Sequence, residues 1–212
     1  FFGFAFENKG LDLLLDATAK SGAHLLLLTE LDPQNSYHAH LLKRIDTMRS
    51  SGSKIYCAGY LKDRLVSQVL RECSYFVLPQ PLPLTAKSGT AIAATRHGLP
   101  IVSTGATDKS LNLPYIHNEN SILLNPMNLQ TLSTTLKDLH ENTDLIKHLR
   151  PGAKTMAQYF SWDNIVDMHY DVWKSTRACL AQVQEGMSTI SLSIYKLSMA
   201  TIPIHFYSRI IA

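Results

Sequence analysis

Cysteine is scarce in this chain. The three present, Cys57, Cys73 and Cys179, are odd in number and include no close-set pair. A disulfide framework and a four-ligand zinc site are both excluded as organising devices, and a reducing, cytoplasmic setting fits best. Charge of one sign is also lacking: 20 basic residues face 17 acidic ones, for a formal net charge of +3. That balance is too small to argue for a nucleic-acid partner. The opening residues, Phe1, Phe2, Gly3, Phe4, Ala5 and Phe6, carry no basic leader and no small-residue cleavage site, so they read as a core strand rather than a signal peptide. No nucleophile-elbow signature is present, which sets local Ser-His-Asp hydrolase chemistry aside.

What is there is alternation. With 45% hydrophobic and 17% charged residues, the 212-residue chain has the composition of a soluble globule with one full-sized core. Short apolar runs at residues 1–6, 24–29, 54–58, 75–79, 100–104 and 121–124 predict strands. Amphipathic stretches at residues 11–20, 37–49, 61–72, 89–97, 129–141 and 144–159 predict helices between them. In residues 61–72, Leu65, Val66, Val69 and Leu70 share the apolar side, with Lys62, Asp63, Arg64 and Gln68 opposite. A closing helix is expected from the caps Ser161 and Asp163 to about residue 178. Strand and helix in alternation imply a Rossmann-like, doubly wound parallel α/β sheet.

The texture changes near residue 179. Residues 1–178 are expected to form one domain and residues 179–212 a tail, in which Ile190, Leu192 and Ile194 alternate as in a strand. The charge-free runs of this tail are below spanning length, so it is not a transmembrane helix. Contact with a membrane surface, packing against another domain, and an adventitious end are all left open.

Doubly wound sheets bind ligands at the carboxyl ends of their strands, where helix N-termini favour anions. Two loops here are equipped for that. Glu7, Asn8, Lys9 and Gly10 put one ammonium beside the start of a helix. The proline-rich loop containing Pro79, Pro81, Pro83 and Lys87 leads through Ser88, Gly89 and Thr90 into a second helix, where small residues let a diphosphate approach the backbone. Ser88 is equally suited to a plain N-cap. His38 and His40 point about 200° apart on a helix and read as solvated residues, not a metal pair.

These residues carry a resemblance. Gly3, the Lys9-Gly10 pair, Gly59-Tyr60 and the run Gly98-Leu99-Pro100-Ile101-Val102-Ser103-Thr104 resemble, in order and spacing, the donor-binding domain of family 4 glycosyltransferases. Such enzymes pair two Rossmann-like domains across a cleft, the GT-B arrangement. The C-terminal one holds a nucleotide diphosphate sugar and the other holds the acceptor. The resemblance implies retaining transfer of a sugar to a glycan, lipid or other acceptor, with no obligatory metal and no cofactor besides the donor substrate. It makes Lys9 the catalytic cation that neutralises the leaving diphosphate. It also gives Ser88, Gly89 and Thr90 the diphosphate oxygens, and Gly59, Tyr60 and Leu61 the base. Because the chain opens at the first strand of that domain, the acceptor half is expected to lie outside it, and the chain alone is expected to show little turnover.

The sequence departs from the family where the family carries two glutamates eight positions apart. Those positions are Thr85 and Ala93. Phe4 stands where an arginine is usual, leaving Lys87 to compensate, and Thr29, Glu30, Leu31, Asp32 and Pro33 replace a glycine-rich turn. A non-catalytic module that binds a nucleotide sugar or a partner is therefore the rival expectation. A nucleotide-sugar epimerase on the same fold is a third, without a residue signal of its own.

Overall fold

The computed structural model describes residues 1–112 and 114–188. It divides into two compact units, the first Phe1–Ser161 and the second beginning at Trp162. The strands of the first unit are β1 (Leu25–Leu27), β2 (Ile55–Cys57), β3 (Phe76–Leu78), β4 (Ile101–Thr104) and β5 (Ser121–Leu124). Its helices are α1 (Leu11–Ser21), α2 (Ser36–Ser50), α3 (Asp63–Glu72), α4 (Gly89–Arg96), α5 (Leu129–Glu141) and α6 (Thr143–Tyr159). All strand pairing is parallel: β1 with β2, and β3–β4–β5 with β4 in the middle.

Both faces of this sheet are covered, and the strands show it residue by residue. Val77, Val102 and Ile122 enter one buried cluster with Leu14 and Leu15 of α1 and Leu132 and Leu136 of α5. Their neighbours Phe76, Leu78 and Ile101 enter the other, with Leu70 of α3, Ala91 and Ala94 of α4 and Met156 of α6. Successive strand residues point to opposite faces, so a short run apolar at every position is what a doubly covered sheet requires. This is the expected α/β, doubly wound class.

Residues 1–6 were expected to form a full strand, and they contract to a single parallel bridge between Phe2 and Leu28. Leu28 N donates to the Phe1 carbonyl at 2.9 Å, and Gly3 N donates to the Leu28 carbonyl at 3.2 Å. The reason is Gly3, whose φ of +123° turns the chain out of the ladder. A 3₁₀ turn over Glu7–Lys9 then delivers it into α1.

Helix starts follow their caps. Asn35 Oδ1 accepts from Tyr37 N at 3.0 Å and His38 N at 3.1 Å, Asn128 forms a capping box with Thr131, and Asn142 Oδ1 accepts from Asp144 N at 3.1 Å. Arg44 of α2 reaches both Asp12 and Asp16 of α1, tying these helices together. His38 is not the solvated residue expected. Its Nδ1 accepts from Asp32 N at 3.1 Å, which leaves Nε2 to donate to the Ala5 carbonyl at 3.2 Å, so the neutral ring braces the opening segment against the loop after β1. His40 stays exposed, 3.6 Å from Asp12 Oδ1.

In the second unit, α7 spans Trp162–Ser188. It passes the stop expected near residue 178 because no glycine or proline occurs before Gly186. Within it the Tyr170 and Trp173 rings stack at 5.8 Å, and Lys174 Nζ lies 4.4 Å from the Tyr170 ring centroid. The strand-like pattern of Ile190, Leu192 and Ile194 lies outside the described residues. Among the described residues no helix is long and apolar enough to cross a membrane, and no group of three or more His, Cys, Asp or Glu could hold a metal ion.

Leu14 is fully buried where α1 meets the sheet and α5. Leu14→Ala is expected to lower unfolding free energy by about 3 kcal/mol, through lost transfer energy plus a residual cavity. Leu65→Ala, at a position 47% exposed, is expected to cost about 0.5 kcal/mol or less. Urea unfolding of both variants checks the contrast.

Candidate functional site

The two loops singled out from the sequence meet through glycine backbone. A Cβ on Gly10, whose φ is +71°, would overlap the Pro79 carbonyl, so the Lys9-Gly10 turn lies directly against the end of β3 and the start of the proline-rich loop. A Cβ on Gly3 would stand 2.9 Å from Thr90 Cγ2, so the opening segment also lies close to a side chain in the first turn of α4. Both glycines are fixed by close approach as well as by positive φ.

The proline-rich loop is held from within. Leu84 N donates to the Thr104 carbonyl at 2.8 Å and Leu84 is fully buried, which pins the middle of the loop to the end of β4. Thr85 Oγ1 accepts from Lys87 N at 3.4 Å, and the Thr85 carbonyl accepts from Ser88 N at 3.2 Å. Ser88 Oγ then accepts from Ala91 N at 3.4 Å as the N-cap of α4. The amides of Gly89 and Thr90 belong to the first turn, whose N–H groups have no partner within the helix. The capping role of Ser88 is thus realised, and it leaves the anion-favouring end of α4 open.

Beside this point lies a cavity of about 510 Å³. It gathers Gly3, Gly59, Tyr60, Leu61 and Thr90 from the expected donor residues, and Ala93 and Phe4 from the positions that depart from the family pattern. Lys9, Gly10, Lys87, Ser88 and Gly89 are not among its lining residues. Lys9 is half-buried and Lys87 exposed. The site therefore has two parts: an apolar-walled cavity between α3 and α4, and a cationic and amide-bearing region outside it.

The polar members of the cavity are Thr29 and Glu30, from the segment that replaces the family's glycine-rich turn, with Asp63, Ser67 and His97, and sequence reasoning gave none of the five a binding role. It had also set Asp63 opposite the apolar side of α3. The cavity is instead lined by Asp63, Val66, Ser67 and Leu70, a set spaced 0, 3, 4 and 7 along one helix face, while Leu65 turns outward. Across from it, Ser67 Oγ and His97 Nε2 lie 2.7 Å apart, and His97 Nδ1 lies 2.7 Å from the Ala93 carbonyl. A carbonyl only accepts, so Nδ1 carries the proton and Ser67 donates its hydroxyl proton to Nε2. Thr29 Oγ1 is buried at the cavity wall without a hydrogen-bond partner among the described residues.

Removing the cap tests the local account of α4. Ser88→Ala is expected to cost about 1 kcal/mol of stability and Ser88→Gly only a few tenths. Equal losses for the two variants in urea titrations would show that the hydroxyl is not the cap.

No protein-family model matches the chain, and no curated protein sequence matches it. Solved structures do. Anabaena HepE in complex with UDP superimposes with a TM-score of 0.69 at 21% identity, covering 82% of this chain and 47% of HepE. Sucrose-phosphate synthase from Thermosynechococcus elongatus gives 0.65 at 19% identity, covering 82% and 44%. The C-terminal domain of a group 1 family glycosyl transferase, LpcC from Francisella tularensis, gives 0.61 at 15% identity, covering 75% of this chain and 83% of that domain. The chain spans about half the length of the first two. Its fold is the Rossmann-like α/β fold of GT-B glycosyltransferases, matched over one of their halves.

Proposed function

We propose that the chain is the donor-binding half of a family 4 glycosyltransferase, transferring a sugar with retention from a nucleotide diphosphate sugar to a glycan or lipid acceptor. The observation that carries this reading is the convergence at one strand end of the Lys9-Gly10 turn, the proline-rich loop and the open first turn of α4, next to a cavity of about 510 Å³. A nucleotide diphosphate needs both parts, an enclosed apolar place for the nucleoside and a cation with free amides for the phosphates. HepE, which shares the fold, is known with UDP and with UDP-glucose bound. The half-length match to HepE and the high coverage of the LpcC C-terminal domain fit a donor half working with an acceptor half.

In this reading Lys9 Nζ stabilises charge as the sugar–phosphate bond breaks and the diphosphate leaves. The Gly89 and Thr90 amides and the Ser88 and Thr90 hydroxyls hold phosphate oxygens, and Lys87 is the second cation. Gly59, Tyr60 and Leu61 take the base, and Gly3 and Gly10 let the ligand and the loops approach the backbone. Donor transfer needs neither a metal nor a further cofactor here. A cytoplasmic setting, with membrane contact only at the surface, accords with the residues that suggest it.

The second reading, a non-catalytic module that binds a nucleotide sugar or a partner transferase, rests on one specific feature. Where the family places two acids, Thr85 is spent on a turn hydrogen bond and Ala93 offers only a methyl group to the cavity. Calorimetric titration with UDP, GDP, ADP and their sugar conjugates separates the readings from a bare fold. Micromolar binding that Lys9→Ala weakens about tenfold for every diphosphate, the scale of one charge-assisted contact, supports a working donor site. No binding to any of them sinks the proposal. Turnover by the chain alone is expected to be negligible, and a radiolabelled-donor assay that detects robust transfer would contradict the half-enzyme account.

A further inference from the structure

We infer that the base of the donor is guanine, read by the Asp63 carboxylate at the mouth of the cavity between α3 and α4. The inference rests on the reading of that cavity as the nucleoside part of a donor site.

The charges decide what the cavity accepts. Asp63 and Glu30 are the charged residues among those that line it, and no lysine or arginine joins them. A diphosphate placed inside would face two carboxylates, so it belongs outside with Lys9 and the Ser88-Gly89 start of α4, and the neutral end of the nucleotide goes in. The remaining polar groups point the same way. Both His97 nitrogens are occupied, one by the Ala93 carbonyl and the other by the Ser67 hydroxyl. Ser67 has given its proton to that bond, so it offers an incoming group only acceptor capacity. A carboxylate likewise only accepts. An occupant that brings N–H donors satisfies both.

Position singles out Asp63. It stands in the first turn of α3, one turn above Ser67 and on the same helix face as Val66 and Leu70, directly after the Gly59-Tyr60-Leu61 wall. Tyr60, 76% exposed, flanks the cavity with a ring on which a flat base can stack, while Phe4, 77% exposed, also lines it but already stacks on Phe6 with ring centroids 5.5 Å apart. Guanine presents two adjacent N–H groups, N1–H and the exocyclic amine, which match the two oxygens of one carboxylate. Adenine presents one amine beside a lone pair. Uracil presents one N–H between two carbonyls, which a carboxylate repels. Thr29 Oγ1, buried without a partner in the wall, is a further group that an inserted base can satisfy.

The test is calorimetric titration of the chain with GDP, ADP and UDP, repeated with Asp63→Asn. Asp63 is exposed and opens a helix, a position asparagine tolerates, and circular dichroism checks that the variant stays folded. The expected result is GDP binding at least about tenfold tighter than UDP, the value of one bidentate base contact, with Asp63→Asn erasing that ratio while UDP affinity holds. UDP or ADP binding as tightly as GDP overturns the base assignment and leaves the donor site standing. A GDP preference that survives Asp63→Asn overturns the role of Asp63. Failure of all three diphosphates to bind overturns the inference together with the donor-site reading. Lys9→Ala lowers all three affinities alike and Asp63→Asn changes only their ratio, so the two claims fail separately.

Discussion

The approach of Gly10 to the Pro79 carbonyl is the contact on which the site depends. Two peptide backbones can lie this close only where one residue has no side chain, and here the left-handed φ of Gly10 is also what turns the 3₁₀ segment into α1. The same residue thus starts a helix of the core and sets the distance between the Lys9 loop and the loop that leads to α4. Gly3 repeats the device one segment earlier. Its φ ends the pairing with Leu28, and its missing Cβ admits the Thr90 methyl. A β-carbon on Gly10 would push the Lys9 turn away from Pro79, and one on Gly3 would crowd the Thr90 methyl.

The cavity and the cationic region divide the work by charge. Lys9, Lys87 and the Ser88-Gly89 start of α4 do not line the cavity, whose own charged residues are Glu30 and Asp63. An elongated ligand with a neutral hydrogen-bonding end and an anionic middle is oriented by that arrangement alone, before any shape complementarity is counted. The Ser67–His97 bond keeps α3 and α4 at a fixed separation across the cavity, and both partners of the bond are spent on it. The cavity is therefore a consequence of helix spacing, bridged by one polar pair between α3 and the end of α4.

Most of the fold was legible in the sequence because burial on both faces of a sheet leaves an unambiguous mark. Residues 121–124 and 129–141 match β5 and α5 end to end, since Ser121, Ile122 and Asn128 mark their edges with burial and capping that local chemistry dictates. The opening strand was misjudged because six aromatic and small residues in a row say nothing about a positive φ at Gly3. The capped start of α4 was also legible, since lysine, a capping serine and glycine sit next to one another in sequence. The cavity half was not. Ser67 and His97 lie thirty residues apart and read as an ordinary helix surface and an ordinary helix end, and only the packing of α3 on α4 makes them a pair. Asp63 was hidden by its neighbours Lys62 and Arg64, which made it look like part of a solvated charged face.

The altered acid positions weigh less against a working site than their identity suggests. An acceptor lost at Ala93 removes one hydrogen bond, on the order of 1 kcal/mol net, or roughly a factor of five to ten in affinity. Against that stand features whose loss costs more, namely the cation at Lys9, the open amides of α4 and an enclosed cavity. Ala93 also keeps a polar duty through its backbone, since its carbonyl fixes the His97 tautomer and so the direction of the Ser67 hydroxyl. The middle of α4 thus serves as scaffold for the Ser67–His97 pair.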